Sequence, residues 1–325
     1  MVNVAQLLNL PALEDELAAF EDSLGRSVRT PDPFLNEVAG HLIQAGGKRL
    51  RPALVMASAV AGGATITPPV VEGGISVELV HLGSLYHDDV LDEATSRRGV
   101  ASVNARWGNL VAILSGDFLL ARASEIAASL GTEVAGLLAA TIARLCMGQV
   151  SELKTAFDVN RSTQAYLGSI TGKTASLMSA SCRIGALTAE LSRPEVEALT
   201  AFGEALGMVF QIRDDVLDVV GTEESLGKPP GQDLVEGIYN LPVIHALADA
   251  DSGPELRALL GRPLGSPERD KARAMVRTTD GIGAALEMGL RYADRAAEAA
   301  RALPPGPASA AIGRLGHQLL DDIPV

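Results

Sequence analysis

Apolar residues recur along this chain at intervals of three and four, the spacing that collects them on one face of an α-helix. Strand-like alternation is almost absent. The pattern predicts helices over 11–25, 33–45, 50–63, 68–93, 101–105, 109–130, 132–154, 162–180, 182–189, 193–221, 240–249, 254–260, 266–278 and 280–302, with a last one near 307–321. Breakers separate them: Gly46-Gly47, Gly62-Gly63, Pro68-Pro69, Gly131, Pro194, Pro229-Pro230 and Pro304-Pro305. No linker is long enough to divide two units. Residues 1–325 therefore read as one all-α domain.

Composition agrees. Hydrophobic residues make up 47% of the chain but aromatics only 3%, a mixture suited to close helix packing. The formal net charge is −13, and no basic run appears. That sign argues against a nucleic-acid binder and against electrostatic docking on anionic lipid. The N-terminus carries Glu14, Asp15, Glu16, Glu21 and Asp22 where a leader peptide would be basic. No uninterrupted apolar run has the ~18 residues of a membrane span. Cys146 and Cys182 lie in apolar helical stretches and are expected to be buried free thiols. A cytoplasmic protein without an integral membrane segment is expected.

One string occurs twice. Asp-Asp-Val-Leu-Asp spans 88–92 and again 214–218, each time late in an apolar helical stretch. Residues four apart share a helix face, so Asp88 points with Asp92 and Asp214 with Asp218. Val77, Leu79, Val80, Leu82 and Leu85 precede the first copy; Leu206, Met208, Val209, Phe210 and Ile212 precede the second. Aspartates on inward faces need cations. Paired carboxylates suit hard ions such as Mg²⁺, which complete their shells with water and phosphate oxygens. A lone copy reads as a solvated face; two inside apolar helices read as a metal site. The central glycine and closing glutamate of a calcium loop are missing.

Basic residues stand beside these acids. The chain prefers arginine, yet keeps five lysines, three of them in glycine-flanked strings at Lys48, Lys173 and Lys228. Arg97-Arg98-Gly99 follows the first motif, and Lys48-Arg49-Leu50-Arg51 opens a helix, where free N–H groups favour anions. Gly-Gly-Lys-Arg lacks the spacing and the Ser/Thr of a P-loop.

Together these strings resemble the trans-isoprenyl diphosphate synthases, or polyprenyl synthetase family, in the family's own order. They run from Gly46-Gly47-Lys48-Arg49-Leu50-Arg51-Pro52 through His87-Asp88-Asp89-x-x-Asp92, Gly148-Gln149 with Glu152, Gly172-Lys173-Thr174 and Phe210-Gln211-Ile212-x-Asp214-Asp215-x-x-Asp218. They close with Gly227-Lys228 to Asp233-Leu234 and Asn240-Leu241-Pro242. The resemblance implies a helical bundle around a central cavity, in which an allylic diphosphate ionises and is extended by isopentenyl diphosphate. It implies that Asp88, Asp92 and Asp214 hold three magnesium ions, with Asp89, Asp215 and Asp218 supporting them. Arg97, Lys173 and Lys228 would clamp the allylic diphosphate. Lys48, Arg51, His81 and Arg98 would seat isopentenyl diphosphate, and the oxygens of Thr174 and Gln211 would face the carbocation. A homodimer is expected on the same ground.

One departure stands out. The family often carries Glu-Gly-Lys where this chain has Glu236-Gly237-Ile238, so one cation is missing and weaker allylic affinity or a compensating arginine is expected. Product length in the family depends on the helix below the first motif. Gly83 and Ser84 lie about 6–8 Å below the metals, with Val80 and Val77 beyond them, and none is large. Gly83 could equally be a helix-packing glycine. With nothing large in the way, the resemblance to long-chain members implies a long product, about C30–C50, such as a quinone side chain. A shorter-chain synthase and a subunit of a heteromeric synthase are the alternatives. Asp214-Asp215 and the Lys48/Arg51 clamp argue against a terpene cyclase.

Overall fold

In the computed structural model, which describes residues 4–226, 229–321 and 323–324, the apolar periodicity is realised almost wholly as helix. The chain runs through α1 (Val4–Leu8), α2 (Pro11–Ser27), α3 (Pro33–Gln44), α4 (Leu50–Ala61) and α5 (Pro68–Leu91). A short hairpin pairs β1 (Ser96–Arg97) with β2 (Val100–Ala101). Then come α6 (Val103–Trp107), α7 (Asn109–Ser129), α8 (Thr132–Lys154), α9 (Thr163–Ile170), a π-helical turn (Thr171–Ala175), α10 (Ser176–Thr188) and α11 (Arg193–Val220). The rest comprises α12 (Glu223–Leu226), α13 (Gln232–Glu236), α14 (Leu241–Leu247), α15 (Gly253–Leu259), α16 (Ser266–Arg277), α17 (Gly281–Ala300) and α18 (Pro307–Asp321).

Helix α10 lies at the centre and packs on α4, α5, α8 and α11. Its small residues permit this: Ser176, Ser179, Ala180, Ser181, Gly185 and Ala186 are all buried, and large side chains would keep four neighbours apart. Around it, α5 lies along α7, and α11 along α17. The two aspartate-bearing helices thus stand in one bundle with α10 between them. Pro33, Pro68 and Pro194 sit at first-turn positions, where a missing N–H costs nothing.

Three expectations need correcting. The break placed at residue 181 does not exist: the Ser181 hydroxyl donates to Leu177 O at 2.7 Å, so its polarity is satisfied inside α10. The interruption lies earlier, at the π turn. Short helices α1, α12 and α13 were not expected, since four or five residues carry too little periodicity to read. Cys182 is buried, but Cys146 is exposed, because it lies on the outer face of α8.

That outer face is apolar. Met147, Val150 and Leu153 on α8 and Leu110, Ile113 and Leu114 on α7 are between 43% and 71% exposed. By length and hydropathy, α8 is also the one helix among the described residues that could cross a membrane. It carries Glu152 into the protein interior, as shown below.

Candidate active site

The first motif ends α5. Its middle aspartate, Asp89, is fully buried and accepts from Arg97 Nε at 2.8 Å and Nη2 at 2.5 Å. Asp88 is half-buried and Asp92 exposed. Burial raises the pKa of both, and each is raised further by a neighbouring carboxylate, Asp92 acting on Asp88 and Asp89 on Asp92; Lys173 and Arg97 pull the other way. Two carboxylates that resist ionising in the same field are poised for a cation.

The second motif repeats the sequence without repeating every role. Asp214, at 47% exposure, faces outward as Asp88 does, and Asp215 is buried like Asp89. Asp218 differs from Asp92. It is buried and accepts the backbone N–H groups of Gln232 and Asp233 at 3.3 and 3.2 Å, pinning the start of α13. Asp215 accepts from Tyr166 Oη at 2.5 Å and Gln211 Nε2 at 2.8 Å. Burial still pushes its pKa up to about 7, with Asp214 and Glu152 adding to the rise.

The π turn joins the two motifs. An extra residue in one helical turn bulges the backbone, and such bulges often present functional groups. Here it presents Lys173 and Thr174. Gly148 of α8 and Gly172 of the turn let the two backbones nearly touch: a Cβ on Gly148 would lie 2.5 Å from Lys173 N. This contact brings Glu152 Oε1 to 2.6 Å from Lys173 Nζ. Burial alone would lower the Lys173 pKa, but Glu152, Asp88 and Asp92 outweigh it and hold the ammonium above its ordinary range. Thr174 donates to Gln211 Oε1 at 2.7 Å. Lys173 thus lies in the field of the first motif, while Thr174 is bonded to the helix of the second.

A second basic group adjoins them. Arg51 and Arg98 repel each other: burial and Arg98 push Arg51 down to about 10, and burial with the surrounding arginines pushes His81 well below its usual range. His81 is therefore a neutral imidazole at neutral pH. Arg98 is held by Leu42 O at 3.2 Å and by Gly46 O. Lys48 is exposed, and partial burial lowers its pKa, with Asp214 opposing and Arg213 adding to the fall. Arg49 has a different task. At a left-handed φ of 45° it turns inward, to Glu78 at 2.9 Å and to both oxygens of Glu21 at 2.5 and 2.8 Å, and so anchors the loop.

Between the π turn and α13 lies a cavity of about 130 Å³, lined by Glu152, Arg161, Tyr166, Lys173, Gln211 and Ile238 among others. Ile238, the departure from the family string, faces the same space as Arg161. The Arg161 guanidinium donates to Tyr239 O at 3.1 Å and Ser169 Oγ at 3.0 Å, and its Nε has no partner. Lys228 lies outside the described residues. Gly83 packs on α7, where a Cβ would meet Gly116 O at 3.0 Å and Leu120 Cγ at 3.2 Å. Val80 is fully buried, and Ser84 is half-buried with its hydroxyl on His81 O at 2.8 Å.

These donors fit magnesium. They are hard carboxylate oxygens under mutual repulsion, and Asp89 Oδ2 is buried beside them without a partner. Among the described residues no group of three or more His, Cys, Asp or Glu side chains is placed to hold a metal ion by itself.

Residues with no assigned role in the sequence now have one. Glu152 orients Lys173; Tyr166 and Arg161 line the cavity; Arg49 is structural. Of these, Glu152 left a trace in the sequence as an acid on an apolar helix one turn past Gly148, and Arg49 as a member of the 46–52 string.

A bundle that sets Lys173 in the field of the first aspartate motif and ties its neighbour Thr174 to the helix of the second has the charges that a diphosphate ester would need. The comparisons with known proteins agree. Residues 32–277 match the polyprenyl synthetase family, and the chain belongs to it. It is 40% identical to heptaprenyl diphosphate synthase component 2 of Geobacillus stearothermophilus, over 90% of this chain and 91% of that protein. It is 37% identical to the nonaprenyl diphosphate synthase of Mycobacterium tuberculosis, over 97% and 94%. The polyprenyl synthase of Caulobacter crescentus, solved with calcium and isoprenyl diphosphate, superposes with a TM-score of 0.90 at 32% identity, covering 98% of this chain and 97% of that one.

Proposed function

We propose that this chain repeatedly condenses an allylic diphosphate with isopentenyl diphosphate, releasing diphosphate at each round, to build a long all-trans polyprenyl diphosphate. The observation that carries this reading is Lys173, bonded to Glu152 and standing in the field of Asp88 and Asp92, with Thr174 beside it tied to α11. Asp88, Asp92 and Asp214 would hold magnesium, with three ions expected, and the ions supply positive charge to the leaving diphosphate oxygens.

The chain's own residues account for the rest. Lys173 and Arg97 meet the allylic diphosphate as its C1–O bond breaks and the electron pair stays on oxygen. Arg51 and Arg98, which repel each other when empty, gain an anion when isopentenyl diphosphate binds, with the neutral His81 beside them. The isopentenyl double bond then attacks C1, forming the new C–C bond. The Thr174 oxygen faces the positive charge. A proton leaves C2 of the isopentenyl unit to the departed diphosphate, which restores the double bond. In the cavity that Ile238 leaves without a lysine, Arg161 is the compensating cation.

The exposed apolar strip of α7 and α8 supports a homodimer, with this strip as the contact. The Geobacillus relative is named as a numbered component, which supports a second reading in which a different subunit covers the strip. Two free thiols support a reducing, cytoplasmic setting. A quinone side chain fits a product of the expected length.

Incubating the purified protein alone with labelled isopentenyl diphosphate and farnesyl diphosphate tests the proposal. Elongated prenyl diphosphates are expected. Hydrocarbon products would mean a cyclase, and turnover only after a partner is added would mean a heteromeric subunit.

A further inference from the structure

Tyr166 was not among the candidate site residues, yet it ends a chain of hydrogen bonds that starts at the cation-facing oxygen. Thr174 Oγ1–H donates to Gln211 Oε1 at 2.7 Å, Gln211 Nε2–H donates to Asp215 Oδ1 at 2.8 Å, and Tyr166 Oη–H donates to Asp215 Oδ2 at 2.5 Å. All four residues line the same cavity. Tyr166 is 2% exposed, and the Arg161 guanidinium lies 5.7 Å from its ring centre.

The direction of these bonds matters. A carboxylate accepts and does not donate, so the Gln211 amide must turn its NH₂ to Asp215 and its oxygen to Thr174. The Thr174 hydrogen is then directed to Gln211, and the lone pairs of Oγ1 remain for the substrate. An amide has two orientations of nearly equal shape, and the threonine hydroxyl can rotate freely. What fixes both is a carboxylate held in one rotamer, and Tyr166 is the group that holds its second oxygen. Tyr166 and Thr174 belong to one continuous run, α9 and the π turn, while Gln211 and Asp215 belong to α11. The chain of bonds closes a ring between two elements and resists slippage of either.

We propose that Tyr166 is a positioning residue for the condensation, acting through Asp215 and Gln211 to keep the Thr174 oxygen, not its hydrogen, toward the developing carbocation. This rests on the function proposed above. A hydroxyl that merely satisfied a buried carboxylate would support the fold but would not depend on Thr174.

The test is a pair of double-mutant cycles read by single-turnover rates of the first condensation, from farnesyl diphosphate, with circular dichroism on every variant. Tyr166→Phe should slow the step about tenfold to a hundredfold, the scale of losing one aimed dipole, with KM for both substrates within about twofold of wild type. In a Thr174→Val or a Gln211→Leu background the same substitution should change the rate less than about twofold, because the chain is already cut. An unchanged rate in Tyr166→Phe or equal losses in all backgrounds each overturn the proposal. Wild-type elongation in the same assay separates the two claims. No elongation defeats the proposed function, whereas elongation with an indifferent Tyr166→Phe defeats only the positioning role.

Discussion

Replacing Gly148 by alanine adds one methyl group at the tightest point of the site. Its carbon would lie 2.5 Å from Lys173 N and 2.9 Å from Gly172 C and Ser169 O, all backbone atoms that cannot swing aside. Ordinary contact begins at 3.4 Å, so α8 and the π turn must separate by about 0.9 Å. Overpacking of this kind destabilises by ~1–3 kcal/mol. The larger effect falls on chemistry. The separation moves Lys173 and Thr174 away from Glu152 and the first motif, and a misplacement of ~1 Å in a positioned group costs about a hundredfold in rate. Single-turnover condensation should fall by that order, and the urea midpoint should drop with an unchanged m-value. Gly136→Ala on the same helix is the control. Its Cβ meets nothing within 4 Å, and removing a mid-helix glycine should raise stability by ~0.5–1 kcal/mol without touching rate. A Gly148→Ala protein with wild-type rate and midpoint would refute the claim that this crossing sets the Lys173 position.

Other outcomes follow from the same geometry. Ser84→Phe should shorten the product seen by radio-chromatography while sparing the first condensation. Gly83→Phe should instead lower the melting temperature, since its Cβ already crowds Gly116 O; the reverse pattern would move the tail to the other side of α5. Ile238→Lys should lower KM for the allylic substrate and Arg161→Leu should raise it, and indifference to both would remove the compensation argument.

The long helices were legible because their apolar periodicity runs over three turns or more. The two acidic strings were legible because aspartate inside an apolar helix is rare enough to carry meaning. What escaped depended on contacts between distant segments. The π turn was not legible, because the periodicity runs through Thr171–Ala175 and the close approach of Gly172 to Gly148 joins segments far apart in the chain. The motif copies are identical in sequence, so only the α13 backbone, which Asp218 caps, could separate Asp218 from Asp92. Arg49 reads as one more cation beside Lys48 until Glu21 and Glu78 are placed around it. Cys146 sits among apolar residues, yet their side of α8 faces outward, and periodicity cannot tell a core face from an exposed apolar one.

The claim beneath all of this is that both aspartate clusters serve one bound diphosphate. A crystal structure with manganese and a non-ionising thio analogue of farnesyl diphosphate measures it directly. Anomalous density should place the metal on Asp88 and Asp92 and on Asp214, with the same pyrophosphoryl group between them and Lys173 in contact. Metal bound at only one cluster, or a diphosphate lodged away from Lys173, would contradict it.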